Sequence, residues 1–161
     1  MFERFAPDGR RAVAGALDVA RRLGAERVEP EHLLLALAGG DRGPAARALA
    51  EAGLDRGVIE NAIERDLVAA LEVVGVSADV VRSIPIHPRA TDPKFGPGLK
   101  QALEQALRQA VRRGERRIGS EHLLLGLLEP PAVSVYRVLG RLDVPVQRLA
   151  ALLQVELAAG R

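Results

Sequence analysis

The sequence has no cysteine and no tryptophan, one tyrosine and three phenylalanines. Without cysteine it can build no disulfide framework, no thiolate metal site and no thiol nucleophile, a composition that fits a reducing interior. With aromatics at 2% of 161 residues, the core has to be packed from Leu, Val and Ala, which favours close-packed helices over a sheet sandwich. Lysine is nearly missing too. Of 23 basic residues only Lys94 and Lys100 are lysine, and the rest are arginine. No apolar run approaches the length of a membrane span. The opening Met1-Phe2-Glu3-Arg4-Phe5 leads into an amphipathic segment without the features of a signal peptide. The expectation is a cytoplasmic protein with no membrane partner.

A large charge excess is also absent, the net charge being +2. The densest basic cluster is Arg112, Arg113, Arg116 and Arg117, with Glu115 inside it. A nucleic-acid face would need a broader stripe, and stacking aromatics if it read single strands. The cluster reads as a solvated helix end whose cations suit the negative pole of the helix dipole.

What the chain does have is an internal repeat. Glu31-His32-Leu33-Leu34-Leu35 returns ninety residues later as Glu121-His122-Leu123-Leu124-Leu125. At the same offset, without a gap, Phe5, Pro7 and Ala12 match Phe95, Pro97 and Ala102, while Gly24, Arg47 and Leu49 match Gly114, Arg137 and Leu139. Two copies are too few for a solenoid. They imply one domain, residues 1–161, made of two similar halves.

The apolar spacing is helical throughout. Pro7 suits a first helical position, Val13, Leu17, Ala20 and Leu23 form a stripe, and Gly24 is placed for a left-handed cap. A second helix follows Glu29-Pro30 through Leu33, Leu34 and Leu37, then a loop over Gly39 to Gly43. A third covers Ala45 to Ala52, and a fourth carries Val58 to Leu67 and on toward Leu71. Ser77 is positioned to cap a short turn through Val80 and Val81. Prolines at 85, 88, 93 and 97 disfavour helix, so residues 83–98 read as an extended connector. The plan then repeats: a stripe from Leu99 to Val111, a helix from Glu121 to Leu128, a third from Val133 to Leu142, and a last from Pro145 to Leu157 before a fraying end. The prediction is an all-α domain of about eight helices, with repeat one at about 5–71 and repeat two at about 99–157.

Phe95-Gly-Pro-Gly-Leu-Lys-Gln-Ala-Leu-Glu and Ile118-Gly-Ser-Glu-His-Leu-Leu-Leu-Gly-Leu127 resemble the second repeat of the N-terminal domain of Clp-type AAA+ ATPases. Met1 to Phe5 and Pro30-Glu-His-Leu-Leu-Leu-Ala-Leu37 resemble the first. The resemblance implies two four-helix repeats about a pseudo-twofold axis. It also implies a non-catalytic module that docks substrates or adaptors of a Clp ATPase or protease. In one branch of the family the glutamate of each motif recognises phosphorylated arginine; those positions are Glu31 and Glu121 here. The family domain is also the target of cyclic-peptide antibiotics, so a small-molecule sequestering role is the alternative, and a structural partner of a Clp hexamer a third. No Gly-x-x-x-x-Gly-Lys-Ser/Thr motif is present to cradle nucleotide phosphates. The start and the divergent connector favour a free-standing protein over a domain cut from a longer one. Where the family places threonine caps, this chain has Ala6 and Gly96.

Glu31 and Glu121 fall in the first turn of their helices. There a carboxylate serves the helix dipole by ~0.3–1 kcal/mol, or takes a guanidinium in a charge-assisted bond beside free N–H groups that can hold an anion. Both readings stay open. His32 and His122 each neighbour a glutamate, but adjacent helical residues point apart, so the expected role is structural, holding the preceding loop, with no metal. No serine or carboxylate pair has a catalytic spacing. The expectation is no enzyme and no cofactor.

Overall fold

The computed structural model describes residues 2–40, 42–85 and 92–160. Part of the predicted connector, including His87, lies outside them. A 3₁₀ turn at Phe2–Arg4 leads into α1 (Pro7–Arg22), a two-residue strand β1 (Arg27–Val28), α2 (Pro30–Ala38), α3 (Pro44–Glu51), α4 (Arg56–Val73) and α5 (Ala78–Ser83). The second half runs β2 (Lys94–Phe95), α6 (Pro97–Arg112), α7 (Ser120–Leu128), α8 (Val133–Arg141) and α9 (Val146–Ala159). Proline at the first position opens α1, α2, α3 and α6, where its missing N–H removes no hydrogen bond. Gly24 (φ 64°) and Gly114 (φ 69°) take the left-handed conformation just past α1 and α6 that closes a helix. The Asp55 side chain accepts from the Val58 N–H at 2.8 Å and caps α4.

The two halves are interleaved. β1 pairs in parallel with β2, Val28 opposite Phe95, and the image of that pairing is a bridge between Phe5 and Ile118. The Ala6 N–H donates to the Ile118 carbonyl at 2.9 Å, as the Gly96 N–H donates to that of Val28 at 3.0 Å. Each half thus threads its leading phenylalanine into the other. The helices do the same: α3 packs on α9 and α4 on α8, α3 on α7 and α2 on α8, with α2 and α7 meeting each other. That exchange is the pseudo-twofold, and it leaves a single core. Leu33, Leu34, Leu123 and Leu124 have no exposed surface, and Ala16, Ala48 and Ala106 are equally buried, so small side chains let the helices approach.

Four local expectations need correction. The extended connector ends earlier than predicted, because Pro97 and Gly98 already belong to α6; proline is tolerated in the first turn as it is not further on. A ninth helix among the described residues, α5, stands where a single turn was expected. Ser77 occupies its N-cap position, yet its side chain makes no cap hydrogen bond; the turn closes through the Val81 N–H and the Ser77 carbonyl at 3.2 Å. At the chain end α9 continues to Ala159, held by the packing of Leu149 and Leu153 in the core.

Candidate binding site

Glu31 and Glu121 are the second residues of α2 and α7, and the histidines that follow are the third. That third position is where a capping box places Glu or Gln to reach back to the N-cap N–H. Here an imidazole does so. His32 Nδ1 accepts from the Glu29 N–H at 2.9 Å, and His122 Nδ1 from the Gly119 N–H at 3.0 Å. An accepting Nδ1 places the proton of the neutral ring on Nε2. Burial pushes the His32 pKa down, and the nearby Glu31 charge partly opposes this.

The two glutamates then part company. The Glu31 Oε2 is buried and has no hydrogen-bond partner among the described residues. Its side chain stands on a wall shared by two depressions. One is a cleft of about 460 Å³ that also touches Gln101, Gln105 and Arg137. The other is a groove of about 780 Å³ with Leu35, Ile63, Leu67 and Val138 on its sides and Glu60, Asp66 and Arg137 at its edge. Glu121 instead folds back on its own helix. Its carboxylate lies over the Gly119 Cα, where any Cβ would collide with it, and its Oε1 is 3.1 Å from His122 Nδ1. The depressions that hold Glu31 do not include Glu121.

Glu115 Oε2 approaches the other ring nitrogen, Nε2 of the fully buried His122, at 3.5 Å. Donor atoms of Glu115, Glu121 and His122 lie within 4.8 Å of one another, close enough to consider a cation. The two carboxylates nevertheless flank opposite nitrogens, and the Nδ1 lone pair is already taken by the Gly119 N–H. The ring is held by the Gly119 N–H alone, its buried Nε2 having no hydrogen-bond partner among the described residues, and the three groups do not converge on a point.

Sequence reasoning passed over Glu29. Its carboxylate lies against the Cα of Gly96, the N-cap of α6, where the positive end of the helix dipole favours an anion. Burial raises its pKa, the Glu31 charge raises it further, and Arg27 opposes both. The signal was in the repeat itself: at the ninety-residue offset Glu29 stands opposite Gly119, and Gly96 opposite Ala6. The extra carboxylate fits because both glycines leave room for one, at Gly96 for Glu29 and at Gly119 for Glu121.

The chain matches the Clp repeat (R) N-terminal domain family over residues 4–91 and again over 94–161. It is 31% identical over 148 residues to a chaperone protein ClpB of Oceanobacillus iheyensis, and 30% identical over 148 to the negative regulator of genetic competence ClpC/MecB of Bacillus subtilis. Each alignment covers 92% of this chain and spans 16% of the relative's length. Among solved structures, the N-terminal domain of ClpD from Arabidopsis thaliana superposes with a TM-score of 0.73 at 25% identity, covering 98% of this chain and 99% of that one. The Hsp104 N-terminal domain from Candida albicans gives 0.68 at 18% identity, covering 98% and 93%, which speaks for the fold alone.

Proposed function

Because this chain belongs to the Clp repeat N-terminal domain family, we propose that it is a non-catalytic docking module for protein segments, adaptors or phosphoarginine-marked chains that enter a Clp unfolding or proteolytic machine. The observation that carries this reading is the unpaired, buried Oε2 of Glu31 beside the apolar groove. A buried carboxylate oxygen without a partner is costly, and a guanidinium supplied by a ligand removes that cost in a charge-assisted bond. The groove supplies the rest: aliphatic walls, with Leu35, Ile63, Leu67 and Val138, for the ligand's apolar side chains. Phosphoarginine adds an anion, which in this reading Arg137 meets by turning from Asp66, 3.3 Å away.

Glu121 takes a lesser part in this reading, because its carboxylate is turned onto Gly119 and His122. The test is calorimetric titration of phosphoarginine, and of an arginine-containing apolar peptide, into the wild type, Glu31→Ala and Glu121→Ala. Binding abolished by Glu31→Ala and little changed by Glu121→Ala is the expected result. Absence of heat for both probes would leave the glutamates as helix-terminal charges.

A second reading rests on the same groove. Its volume of about 780 Å³ falls within the roughly 300–1,000 Å³ of small-molecule pockets, so a compact cyclic peptide is the competing ligand. A thermal-shift screen with cyclic peptides separates the two.

A further inference from the structure

A second large cleft lies away from Glu31. It has a volume of about 1140 Å³, runs along α1 and the end of α2, and among the described residues carries Arg11, Arg21, Arg22, Arg42 and Arg56 with Asp8 and Asp18. Its floor is made of small residues, among them Gly15, Ala36 and Ala46. Arg21 is paired with Asp18 and Asp92, and Arg56 with Glu60. Arg11, Arg22 and Arg42 are exposed and make no ion pair among the described residues. In a chain whose net charge is +2, this is a marked local concentration.

The repeat provides an internal control. The pseudo-twofold maps this cleft onto the smaller one beside Gln101 and Gln105. At the ninety-residue offset Arg11 becomes Gln101, Arg21 becomes Val111, Arg42 becomes Ala132 and Arg56 becomes Val146. The fold therefore does not require these four arginines, while Arg22 keeps a counterpart in Arg112. A second, independent feature sits at one end of the cleft. Ser120, 5% exposed, lines it, and its buried hydroxyl has no hydrogen-bond partner among the described residues. Its N–H is already held by Asp8 Oδ2 at 3.1 Å, so the hydroxyl is the group left to offer a ligand.

We propose that this cleft is a docking site for an extended acidic peptide segment, distinct from the Glu31 groove. The cations are spread along it. Arg11 and Arg22 are eleven residues apart on α1, about 16 Å of helix axis, which an extended chain covers in roughly five residues at ~3.3 Å each. Carboxylates spaced along such a segment meet guanidinium forks one by one. A nucleic-acid strand fits less well: none of the lining side chains is aromatic, so bases find no stacking platform.

The test is fluorescence anisotropy of a short labelled peptide of alternating glutamate and alanine. It compares the wild type with Arg11→Gln/Arg22→Gln/Arg42→Gln and with Arg112→Gln/Arg116→Gln/Arg117→Gln, which removes the same charge from the end of α6 and the loop that follows it. The first triple variant is expected to bind about tenfold more weakly, three partly solvated pairs being lost, and the second to bind like the wild type. Equal loss in both, or no binding by the wild type, overturns the proposal. So does labelled oligothymidylate binding more tightly than the peptide, which would make the cleft a nucleic-acid face. Should the first variant not fold, amide shifts on peptide addition decide: movement at Gly15, Gly39 and Ser120 without movement at Gly126 is expected, and the reverse refutes it.

Discussion

Arg47 on α3 holds Glu156 on α9 at 2.6 Å across the seam between the halves. Its image under the repeat is Arg137 on α8, which meets Asp66 on α4 at 3.3 Å, with Arg141 on the same carboxylate at 2.9 Å. The two seams are therefore closed by the same kind of contact in mirrored places. Arg47 is 53% exposed and Glu156 26%, so solvent weakens the pair. A double-mutant cycle with Arg47→Ala and Glu156→Ala, read by urea unfolding, should give a coupling below about 1 kcal/mol. A much larger coupling would mean that the seam depends on charge more than on the aliphatic packing beneath it.

Gly126 lets α7 lie directly against the backbone of α6. A Cβ there would collide with the Ala102 carbonyl and crowd the Ala106 backbone, neither of which can move without shifting α6. Gly126→Ala should cost about 1–3 kcal/mol. Gly140, inside α8, has nothing within 4 Å of the place a methyl group would take, and Gly140→Ala should stabilise by up to about 1 kcal/mol. Opposite shifts in Tm are the expected readout; shifts of one sign would refute the packing argument.

His122 serves α7 through its ring acceptor. His122→Leu keeps an apolar body in the site and strands the Gly119 N–H, at an expected cost of about 1–3 kcal/mol. His122→Gln, the residue type a capping box ordinarily uses, should cost less. Equal losses would show that the ring acts by shape and not through its acceptor.

Acid should act on the start of α2 in two opposed ways. Burial holds His32 below its ordinary 6.5, so the unfolded chain binds a proton that the native state resists. The stability contributed by the neutral ring is whole above pH 6.5 and is lost between there and the lower native value. Burial and the Glu31 charge hold Glu29 above its ordinary 4.5. Its contribution is whole below pH 4.5 and is lost as pH rises through the higher native value. In urea midpoints measured against pH, His32→Gln should flatten the fall below 6.5, and Glu29→Gln should flatten the change just above 4.5. A His32→Gln profile identical to that of the wild type would refute the assignment.

Much of this architecture could be read from one regularity. The gapless offset paired Phe5 with Phe95 and Gly24 with Gly114, and the helices and left-handed caps follow from those positions. It could not say that Phe5 sits beside Ile118 while Phe95 sits beside Val28, because a repeat in sequence is silent on whether its copies stand side by side or exchange parts. α5 was legible only as a turn, since its six residues are too few for a periodic stripe. At the site, the glutamates and histidines stood out because they recur. Glu29 did not recur, and neither did Arg11 or Arg42. The residues that set the halves apart are the ones a search for similarity discards.

The exchanged phenylalanine bridges bear on ancestry. Two separate copies of a single repeat, meeting about a true twofold, would already form both bridges and both helix seams, so the arrangement has the geometry of a homodimer joined into one chain. Joining the copies frees them to diverge. Asp8 holds the Ser120 N–H, whereas at the mirrored place Gly98 rests on Pro30, which has no N–H to hold. A symmetric ancestor would have to carry one solution twice; a fused chain can keep both, and with them two unlike clefts.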